Sequence, residues 1–423
     1  MEKALISHNK HWKNEKYEEL FHRDIAFKLI QQIGYKEIEV LQGIRRSGKS
    51  TIFKLLINHL MEEVDAGSIL YVNLDDPYFS ELWSNPKKLY ALLELSEKIN
   101  GVNPKYIFFD EIQNVEMWEK FIKAIYDNEL VQKIYLTGSN ASLLSSDYAV
   151  SLSGRYLKTI VYPLSLNEIY QIEKIESYFE LLDNTPKVLN IIDHMMEFGS
   201  FAEVYKKEES EHKRELILNY YEIIILKDCV ANHGIREVKQ FKELTQYLIS
   251  NGASLYAYST ISKALGINEN SIKNYIYALE DAYLYHELKQ FSYSLKGQVR
   301  SKKKGYLVDN GFLGNISFRF SNNRGKLFEN LVYSELQKRG YEIFIFNDGS
   351  FECDFLVKKE NELMAVQVCY ELHSGNQERE LKGLREIEKK FKVAKKLLLT
   401  YNQEEKVESI EVLPFWKYFW SNK

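Results

Sequence analysis

The sequence has few cysteines, few prolines and no long apolar run. Its only cysteines are Cys229, Cys353 and Cys369, and their spacing matches neither a zinc site nor a disulfide framework. This usage is typical of a reducing compartment. No run of about 18 uncharged apolar residues occurs, and the first twenty residues lack the apolar segment of a signal peptide. We therefore expect a soluble, cytoplasmic protein without a membrane partner.

An excess of positive charge is also missing. The chain has 56 Lys and Arg against 60 Asp and Glu, which gives a formal net charge of -4. Because the whole molecule does not attract polyanions, any contact with nucleic acid requires a local basic face. At 423 residues, with 45% hydrophobic residues, the chain is long enough for two or three folded domains.

Three regions differ in the pattern of their apolar residues. Between residues 36 and 163, short apolar runs alternate with segments of helical period, which predicts a parallel sheet flanked by helices. Helical patterns dominate from 164 to 290, and mixed strands and helices return from 316 to 415. The basic stretch KGQVRSKKKG, residues 296–305, is interpreted as a linker. The five apolar runs are IEVLQ (38–42), ILYVNL (69–74), YIFFD (106–110), KIYLTG (133–138) and LKTIVYP (157–163).

The segment GIRRSGKST, residues 43–51, has the spacing of a phosphate-binding loop. It follows a predicted strand and precedes a predicted helix, which is the context that gives the pattern its meaning. Such a loop directs backbone N–H groups at a phosphate, the lysine reaches the β- and γ-phosphates, and the serine hydroxyl binds Mg²⁺. We expect ATP and Mg²⁺ as cofactors. The residues predicted to bind them are Gly43, Arg46, Ser47, Gly48, Lys49, Ser50 and Thr51.

Two carboxylates end the third predicted strand, in YIFFDEIQ. Asp110 is predicted to hold Mg²⁺ and Glu111 to act as the general base that polarises the attacking water. The alternative is that the pair only caps the following helix. A position some sixty residues beyond the loop, at the end of an apolar strand, favours the catalytic role.

Two further polar positions are candidates for catalysis. Asn140 follows the fourth strand in TGSN, where its side chain can sense the γ-phosphate or orient water, although a polar turn explains it nearly as well. Arg155 precedes the fifth strand. An arginine there can reach the nucleotide of a neighbouring subunit, and an ordinary surface arginine is the equal alternative.

The order of several segments resembles the archaeal and bacterial AAA-type ATPases with a C-terminal domain of unknown function. In the first half these segments are GIRRSGKST, YVNLDDPYF (71–79), FFDEIQNVEMW (108–118), LTGSNASLLS (136–145), LSGRY (152–156) and YPLSLNE (162–168). In the second half they are KKGYLVDNGF (303–312), GKLFENLVYSEL (325–336), FECDFLV (351–357) and QVCYEL (367–372). The resemblance implies a five-stranded ATPase core, a helical lid, a winged helix and a restriction-endonuclease-like α/β domain.

The middle region independently predicts a helix-turn-helix. Residues 260–285 contain two segments of helical period around a turn at 266–268, with Asn268 or Asn270 as the cap of the final helix. That helix can enter a DNA groove, although winged helices also serve as protein-packing modules. A short basic run follows, which can contact phosphates or be an ordinary solvated turn. The candidate DNA contacts are Lys273, Asn274, Arg300, Lys302, Lys303 and Lys304.

The resemblance also raises the question of nuclease activity. Restriction-type nucleases combine an early Glu, an Asp at a strand end and a Glu-x-Lys pair on the next strand. Glu329 and Asp354 match the first two positions, whereas the third reads Gln367-Val368-Cys369. Because one metal ligand and the ammonium group are missing, we expect a nuclease fold without nuclease activity.

Together these observations predict an α/β protein, a Mg²⁺-dependent ATPase that binds DNA and couples hydrolysis to remodelling or translocation. A homo-oligomer formed through Arg155 is expected, with a hexamer as a candidate. The alternative is a slow nucleotide-operated switch or scaffold that recruits a protein partner. The predicted domains are the ATPase core with an N-terminal helical extension (1–163), the lid and connector (164–230), the winged helix with its linker (231–315) and the nuclease-like domain (316–423).

Overall fold

A computed structural model describes residues 1–144, 151–292, 294, 298, 301–316, 324–360 and 362–421. The chain divides into two compact units, Met1–Tyr162 and Pro163–Lys423. Within the described ranges, no helix combines the length and apolar character needed to cross a membrane. The second unit includes the helical, middle and C-terminal regions of the sequence.

A five-stranded parallel sheet is the centre of the first unit. Its strands are β1 (Ile38–Gln42), β2 (Ile69–Asn73), β3 (Tyr106–Asp110), β4 (Lys133–Gly138) and β5 (Tyr156–Ile160), in the order β2-β3-β4-β1-β5. Three of the apolar runs form the inner strands β1, β3 and β4, whose successive side chains are buried on either side because helices cover both faces of the sheet. This confirms the predicted P-loop NTPase type of sheet.

The helices of the first unit pack on the two faces of this sheet. They are α1 (Glu2–His8), α2 (Asp24–Gln31), α3 (Lys49–Leu60), α4 (Ser80–Trp83), α5 (Leu89–Asn100) and α6 (Trp118–Asp127). The N-terminal segment covers the edge strand β2. Asn9 exchanges two hydrogen bonds with the backbone of Tyr71, and the Trp12 indole donates to the carbonyl oxygen of Ile69. Side chains thereby satisfy the edge groups that a further strand would otherwise pair.

The second unit begins with helices. These are α7 (Leu166–Ile172), α8 (Tyr178–Asp183), α9 (Thr185–Phe198), α10 (Ala202–Tyr205) and α11 (Ser210–Ile223), which continues as a π-helix over Ile224–Ala231. Capping boxes at Ser165 and Ser177 begin α7 and α8, since each serine bonds the glutamate N–H three residues on. The predicted helical character of residues 164–230 is thus observed.

A three-stranded antiparallel sheet follows, with three helices. The elements are α12 (Val238–Ser250), β6 (Leu255–Tyr256), α13 (Tyr258–Leu265), α14 (Glu269–Asp281), β7 (Tyr285–Leu288) and β8 (Lys303–Leu307), and the strand order is β6-β8-β7. Gly266 ends α13 in the left-handed region, and the Asn268 side chain caps α14, as predicted. The linker interpretation of residues 296–305 is wrong at its end, because Lys303, Lys304 and Gly305 lie in the central strand.

A six-stranded mixed sheet completes the second unit. Its strands are β9 (Glu342–Asn347), β10 (Glu352–Lys359), β11 (Glu362–Cys369), β12 (Lys395–Thr400), β13 (Glu405–Val407) and β14 (Ile410–Pro414), in the order β13-β14-β12-β11-β10-β9. The accompanying helices are α15 (Asn310–Ile316), α16 (Arg324–Lys338), α17 (Gln377–Lys390) and α18 (Phe415–Ser421). Residues 289–291 also bond to Ile345 of β9, so the two sheets of this unit are joined by backbone hydrogen bonds.

Candidate nucleotide site

The loop after β1 is closely packed at its first glycine, Gly43, and has positive φ angles at two further residues, Arg46 and Gly48. Gly43 has a φ of +148°, and a Cβ there would lie 2.1 Å from the carbonyl oxygen of Val161. Gly48 has a φ of +98° and Arg46 one of +68°. Glycine at 43 and 48 therefore lets the chain curl back on itself before α3 begins.

Lys49 lies in the concave side of this loop. Its buried ammonium donates to the carbonyl oxygens of Gly43 at 2.9 Å and Ile44 at 3.1 Å. The Ser47 hydroxyl is buried and has no hydrogen-bond partner in the described part of the chain. A buried cation, an orphaned hydroxyl and the amino terminus of a twelve-residue helix together suit a bound phosphate.

The Asp110 carboxylate is surrounded by hydroxyl groups. Tyr71 donates to its Oδ2 at 3.0 Å, Thr137 donates to its Oδ1, and Ser50 also hydrogen-bonds it. Burial raises the pKa of Asp110, the neighbouring Glu111 raises it further, and the three hydroxyl contacts act in the opposite direction. Because the Ser50 hydroxyl and the Asp110 carboxylate meet, these two residues suit Mg²⁺, which prefers oxygen ligands.

Glu111 directly follows Asp110 and adopts a left-handed conformation, with a φ of +56°. Its N–H donates to the Thr137 hydroxyl at 2.8 Å, and its side chain accepts a hydrogen bond from Gln113. Thr137 therefore contacts both acidic residues, because its hydroxyl accepts a hydrogen bond from the Glu111 N–H and donates one to the Asp110 carboxylate. The sequence reasoning missed Thr137, although its place in TGSN was a usable signal.

Asn140 lies on the same edge of the sheet and is buried. Its carbonyl oxygen accepts from Gln42 at 3.1 Å, and its side-chain oxygen accepts from Ser139 at 3.3 Å. The structure thus brings the ends of β1, β3 and β4 together at the carboxyl edge of the parallel sheet. This edge is where open α/β sheets bind ligands.

Arg155 lies at the opposite edge. Its carbonyl oxygen accepts from Ile38 at the beginning of β1, so the length of that strand separates it from the loop of its own chain. The guanidinium pairs with Asp127, Nε to Oδ1 at 2.8 Å. Arg46 is exposed at the tip of the phosphate loop.

Family models match three consecutive parts of the chain. Residues 35–170 match an AAA domain, residues 189–323 a domain of unknown function (DUF8612), and residues 324–418 a second domain of unknown function (DUF4143). An uncharacterized protein of Methanocaldococcus jannaschii, MJ1544, is 32% identical over 421 residues, which cover 94% of this chain and 91% of that one. The chain belongs to the AAA-type P-loop ATPase family.

This family extends to bacteria. An uncharacterized protein of Haemophilus influenzae is 30% identical over 91% of this chain and 95% of its own length. Among solved structures, Aeropyrum pernix Orc1 in complex with DNA covers 76% of this chain and 95% of its own, at 13% identity and a TM-score of 0.33. Aquifex aeolicus DnaA bound to AMPPCP covers 64% and 90%, at 13% identity and a TM-score of 0.28.

The predicted DNA contacts of this AAA-type chain fall into two groups. Lys273 and Asn274 are exposed on α14, and Lys302 is exposed before β8. Lys303 and Lys304 are buried in β8, with 5% and 3% of their surface exposed, so the prediction that they contact phosphates is wrong. These two lysines are buried because they lie in the central strand of a sheet. Arg300 lies outside the described residues.

Lys304 instead lies among the carboxylates of Glu329, Glu352 and Asp354, a cluster called here the nuclease-like centre. Its ammonium lies 2.6 Å from Glu329 Oε1, 3.1 Å from Asp354 Oδ1 and 3.2 Å from Glu352 Oε1. Burial alone would lower the pKa of Lys304, but the carboxylates around it, with Glu329 foremost, raise it well above its usual range. The expectation that this centre lacks an ammonium group is therefore wrong. Position 369 is a cysteine, but Lys304 supplies the ammonium from the distant strand β8.

Gln367 is a hydrogen-bonding residue of the same centre. Its Oε1 accepts from the Asp354 N–H at 3.2 Å, and its Nε2 donates to Glu380 at 3.0 Å. Asp354 in turn accepts from the Val368 N–H at 3.1 Å. The centre forms one wall of an open groove of about 750 Å³. Within the described residues, no group of three or more His, Cys, Asp and Glu side chains is arranged to hold a metal ion.

Proposed function

We propose that the protein is a Mg²⁺-dependent ATPase. One observation supports this most strongly: the Ser50 hydroxyl at the end of the phosphate loop hydrogen-bonds the Asp110 carboxylate at the end of the next-but-one strand. Two sequence motifs sixty residues apart therefore meet at one edge of the sheet. Their meeting places an anion-binding loop beside a pair of oxygen ligands.

Each residue of this edge has a role in the proposal. The backbone N–H groups of residues 46–51 and the Lys49 ammonium bind the phosphates, and Ser50 and Asp110 hold Mg²⁺. Glu111 accepts a proton from the attacking water, and Asn140 orients that water. When bound, Mg²⁺ would neutralise part of the negative charge of the phosphates.

Arg155 is proposed to act on a neighbouring subunit in a homo-oligomer, for which we propose a hexamer. Its position at the amino edge of the sheet, far from its own loop, supports a role in trans only. In that role the guanidinium would leave Asp127 of its own chain and stabilise the negative charge that develops in the transition state on the neighbouring subunit.

ATP hydrolysis is further proposed to drive remodelling of DNA or movement along it. Support for this comes from the helices and strands between α12 and β8, whose order is compatible with a winged helix, and from Lys273, Asn274 and Lys302, which are exposed in this region. Helical residues 164–230 would act as the lid of the nucleotide site.

The protein is proposed to be cytoplasmic. The reducing conditions of the cytoplasm suit its three free, buried cysteines.

One observation favours a second candidate, a slow nucleotide-operated switch that recruits a protein partner. Burial of Lys303 and Lys304 removes two of the predicted phosphate contacts. A face with fewer exposed cations binds DNA less strongly, because phosphate contacts supply most nonspecific affinity.

ATP hydrolysis measured with and without single-stranded, duplex and forked DNA separates the two candidates. A motor hydrolyses faster with one of the DNA forms and binds it less tightly as salt rises. A switch shows slow turnover that DNA does not change. Lys49→Ala should abolish binding or hydrolysis, and Glu111→Gln should retain bound ATP without turnover. Normal turnover in either variant would refute the ATPase proposal.

The nuclease-like domain is proposed to lack nuclease activity. The Lys304 ammonium pairs with the Glu329 and Asp354 carboxylates that a metal ion would need, and the neutral Gln367 takes the place of a charged ligand. We expect no cleavage of plasmid or oligonucleotide DNA with Mg²⁺ or Mn²⁺. Cleavage that Asp354→Ala abolishes would overturn this proposal.

A further inference from the structure

Arg23 is a buried arginine directly behind the phosphate loop. It precedes α2, outside every motif in the sequence, and only 3% of its surface is exposed. Its Nη1 donates to the carbonyl oxygen of Ser47 at 2.7 Å, and its Nη2 donates to the carbonyl oxygen of Tyr162 at 2.7 Å. One planar guanidinium therefore joins the loop to the segment that follows β5.

We propose that Arg23 is a positioning residue for nucleotide binding, and this inference rests on the proposed ATPase function. A trans peptide group is planar, so its C=O and the following N–H point in opposite directions. Because Arg23 holds the Ser47 carbonyl oxygen on one side, the Gly48 N–H faces the other side. A loop of this type uses that N–H to bind phosphate.

The contacts of the loop support a fixed rather than an adaptable conformation. At its beginning, Gly43 packs so closely on Val161 that a Cβ would lie 2.1 Å from the Val161 oxygen. At its end, Arg23 ties Ser47 to Tyr162. The two ends of the loop are therefore held on two adjacent residues after β5, Val161 and Tyr162, and ordering the loop costs less when the phosphate binds.

Gly48 provides a second link between Arg23 and the loop. A Cβ at Gly48 would lie 2.7 Å from Nη1 of Arg23, closer than Cβ atoms approach other groups. The absence of a side chain at Gly48 thus makes room for the guanidinium as well as permitting its φ of +98°.

The test compares the affinity of wild-type protein and variants for ADP, measured by calorimetry at a temperature where circular dichroism shows each to be folded. Arg23→Ala should weaken ADP binding by about 10- to 100-fold, the effect of losing one well-placed bond to a charged group. The KM for ATP should rise more than kcat falls, because the phosphate contact exists before and during the reaction. Arg23→Lys should be intermediate, since an ammonium lacks the planar fork that serves two carbonyl oxygens.

Lys133→Ala is the matched control. Lys133 is also buried, and its ammonium also donates to two backbone carbonyl oxygens, those of Tyr35 at 3.0 Å and Glu37 at 2.7 Å. It lies at the amino edge of the same sheet, away from the loop. This variant should lose thermal stability while its ADP affinity stays within twofold of wild type.

The outcomes separate this inference from the ATPase proposal. If folded wild-type protein binds neither ADP nor ATP, the ATPase proposal fails. If wild type binds and Arg23→Ala binds equally well, the positioning role is refuted and the ATPase proposal stands. Should Arg23→Ala not fold, the decision passes to Arg23→Lys, where wild-type affinity would refute the role.

Discussion

The Nζ of Lys304 lies 2.6 Å from Oε1 of Glu329, although Lys304 lies in strand β8 and Glu329 in helix α16. Asp354 and Glu352 approach the same ammonium from β10. One buried cation therefore pairs with three carboxylates, which come from α16 and β10. Loss of Lys304 would be costly, because it would leave buried carboxylates without their counter-charge.

We expect Lys304→Met to destabilise the second unit by about 3 to 5 kcal/mol, the usual cost of breaking a buried ion pair from one side. Thermal unfolding of the variant measures this loss. The double variant with Glu329→Gln should recover part of the stability, because one of the opposing carboxylates is then neutral. Equal stability of Lys304→Met and wild type would contradict the role of the cluster.

Stability of the second unit should depend on the charge of Glu329. Burial raises the pKa of Glu329 to about 7, Asp354 adds to the rise, and Lys304 opposes it. Because the folded state holds this proton more tightly than the unfolded state, stability is greatest below the ordinary glutamate pKa of about 4.3 and declines as pH rises through 7. The decline is of the order of 3 kcal/mol.

Unfolding temperatures between pH 5 and 8 test this dependence. Glu329→Gln should flatten the profile, since glutamine does not titrate, whereas Glu405→Gln at an exposed position should leave it unchanged. A profile that keeps its slope in Glu329→Gln would assign the titration to another group.

Thr137→Val should slow hydrolysis while retaining ATP binding. Valine keeps the buried shape but loses the hydroxyl that donates to Asp110 and accepts from the Glu111 N–H. We expect kcat to fall by about 10- to 100-fold, as for lost bonds to charged groups. Thr137→Ser, which keeps the hydroxyl, is the control and should stay near wild type. A similar loss in both variants would indicate a packing effect instead.

Arg155→Ala should reduce hydrolysis at least about 10-fold without weakening ATP binding, if the arginine acts between subunits. Mixing Arg155→Ala with Glu111→Gln protein should restore part of the activity, because some interfaces then combine an intact arginine with an intact glutamate. Asp127→Ala removes only the partner in the same chain and should remain active. Loss of activity in Asp127→Ala equal to that in Arg155→Ala would point to the ion pair itself.

DNA binding should depend on the exposed lysines of the three-helix region. The double variant Lys273→Glu, Lys302→Glu should weaken binding to duplex DNA and reduce the salt dependence of affinity by about one unit of slope per lysine. The double variant Lys98→Glu, Lys105→Glu changes two exposed lysines of the first unit and controls for net charge. Binding that is unaffected by the double change would place the DNA surface elsewhere or favour the switch.

Sequence reasoning was most successful where the chemistry is local. The five strands, the loop at Gly43 to Ser50 and the acidic pair were predictable because each lies in one short segment with its own pattern. Contacts between distant segments were not predictable. Arg23 lies outside any motif, and Lys304 reaches the nuclease-like centre only because β8 pairs within a sheet that then joins β9. A run of lysines reads as a solvated turn until its strand partners are known.

Two features determine where the chain can be divided into fragments. Residues 289–291 hydrogen-bond to β9, and the Lys304 ammonium of β8 pairs with carboxylates of α16 and β10. A fragment beginning near residue 316 would carry the three carboxylates without their counter-charge and would lose a neighbouring strand. The complementary fragment would expose a buried lysine. Cutting between Tyr162 and Pro163 spares all of these bonds, so pieces made there are the ones that should retain native behaviour.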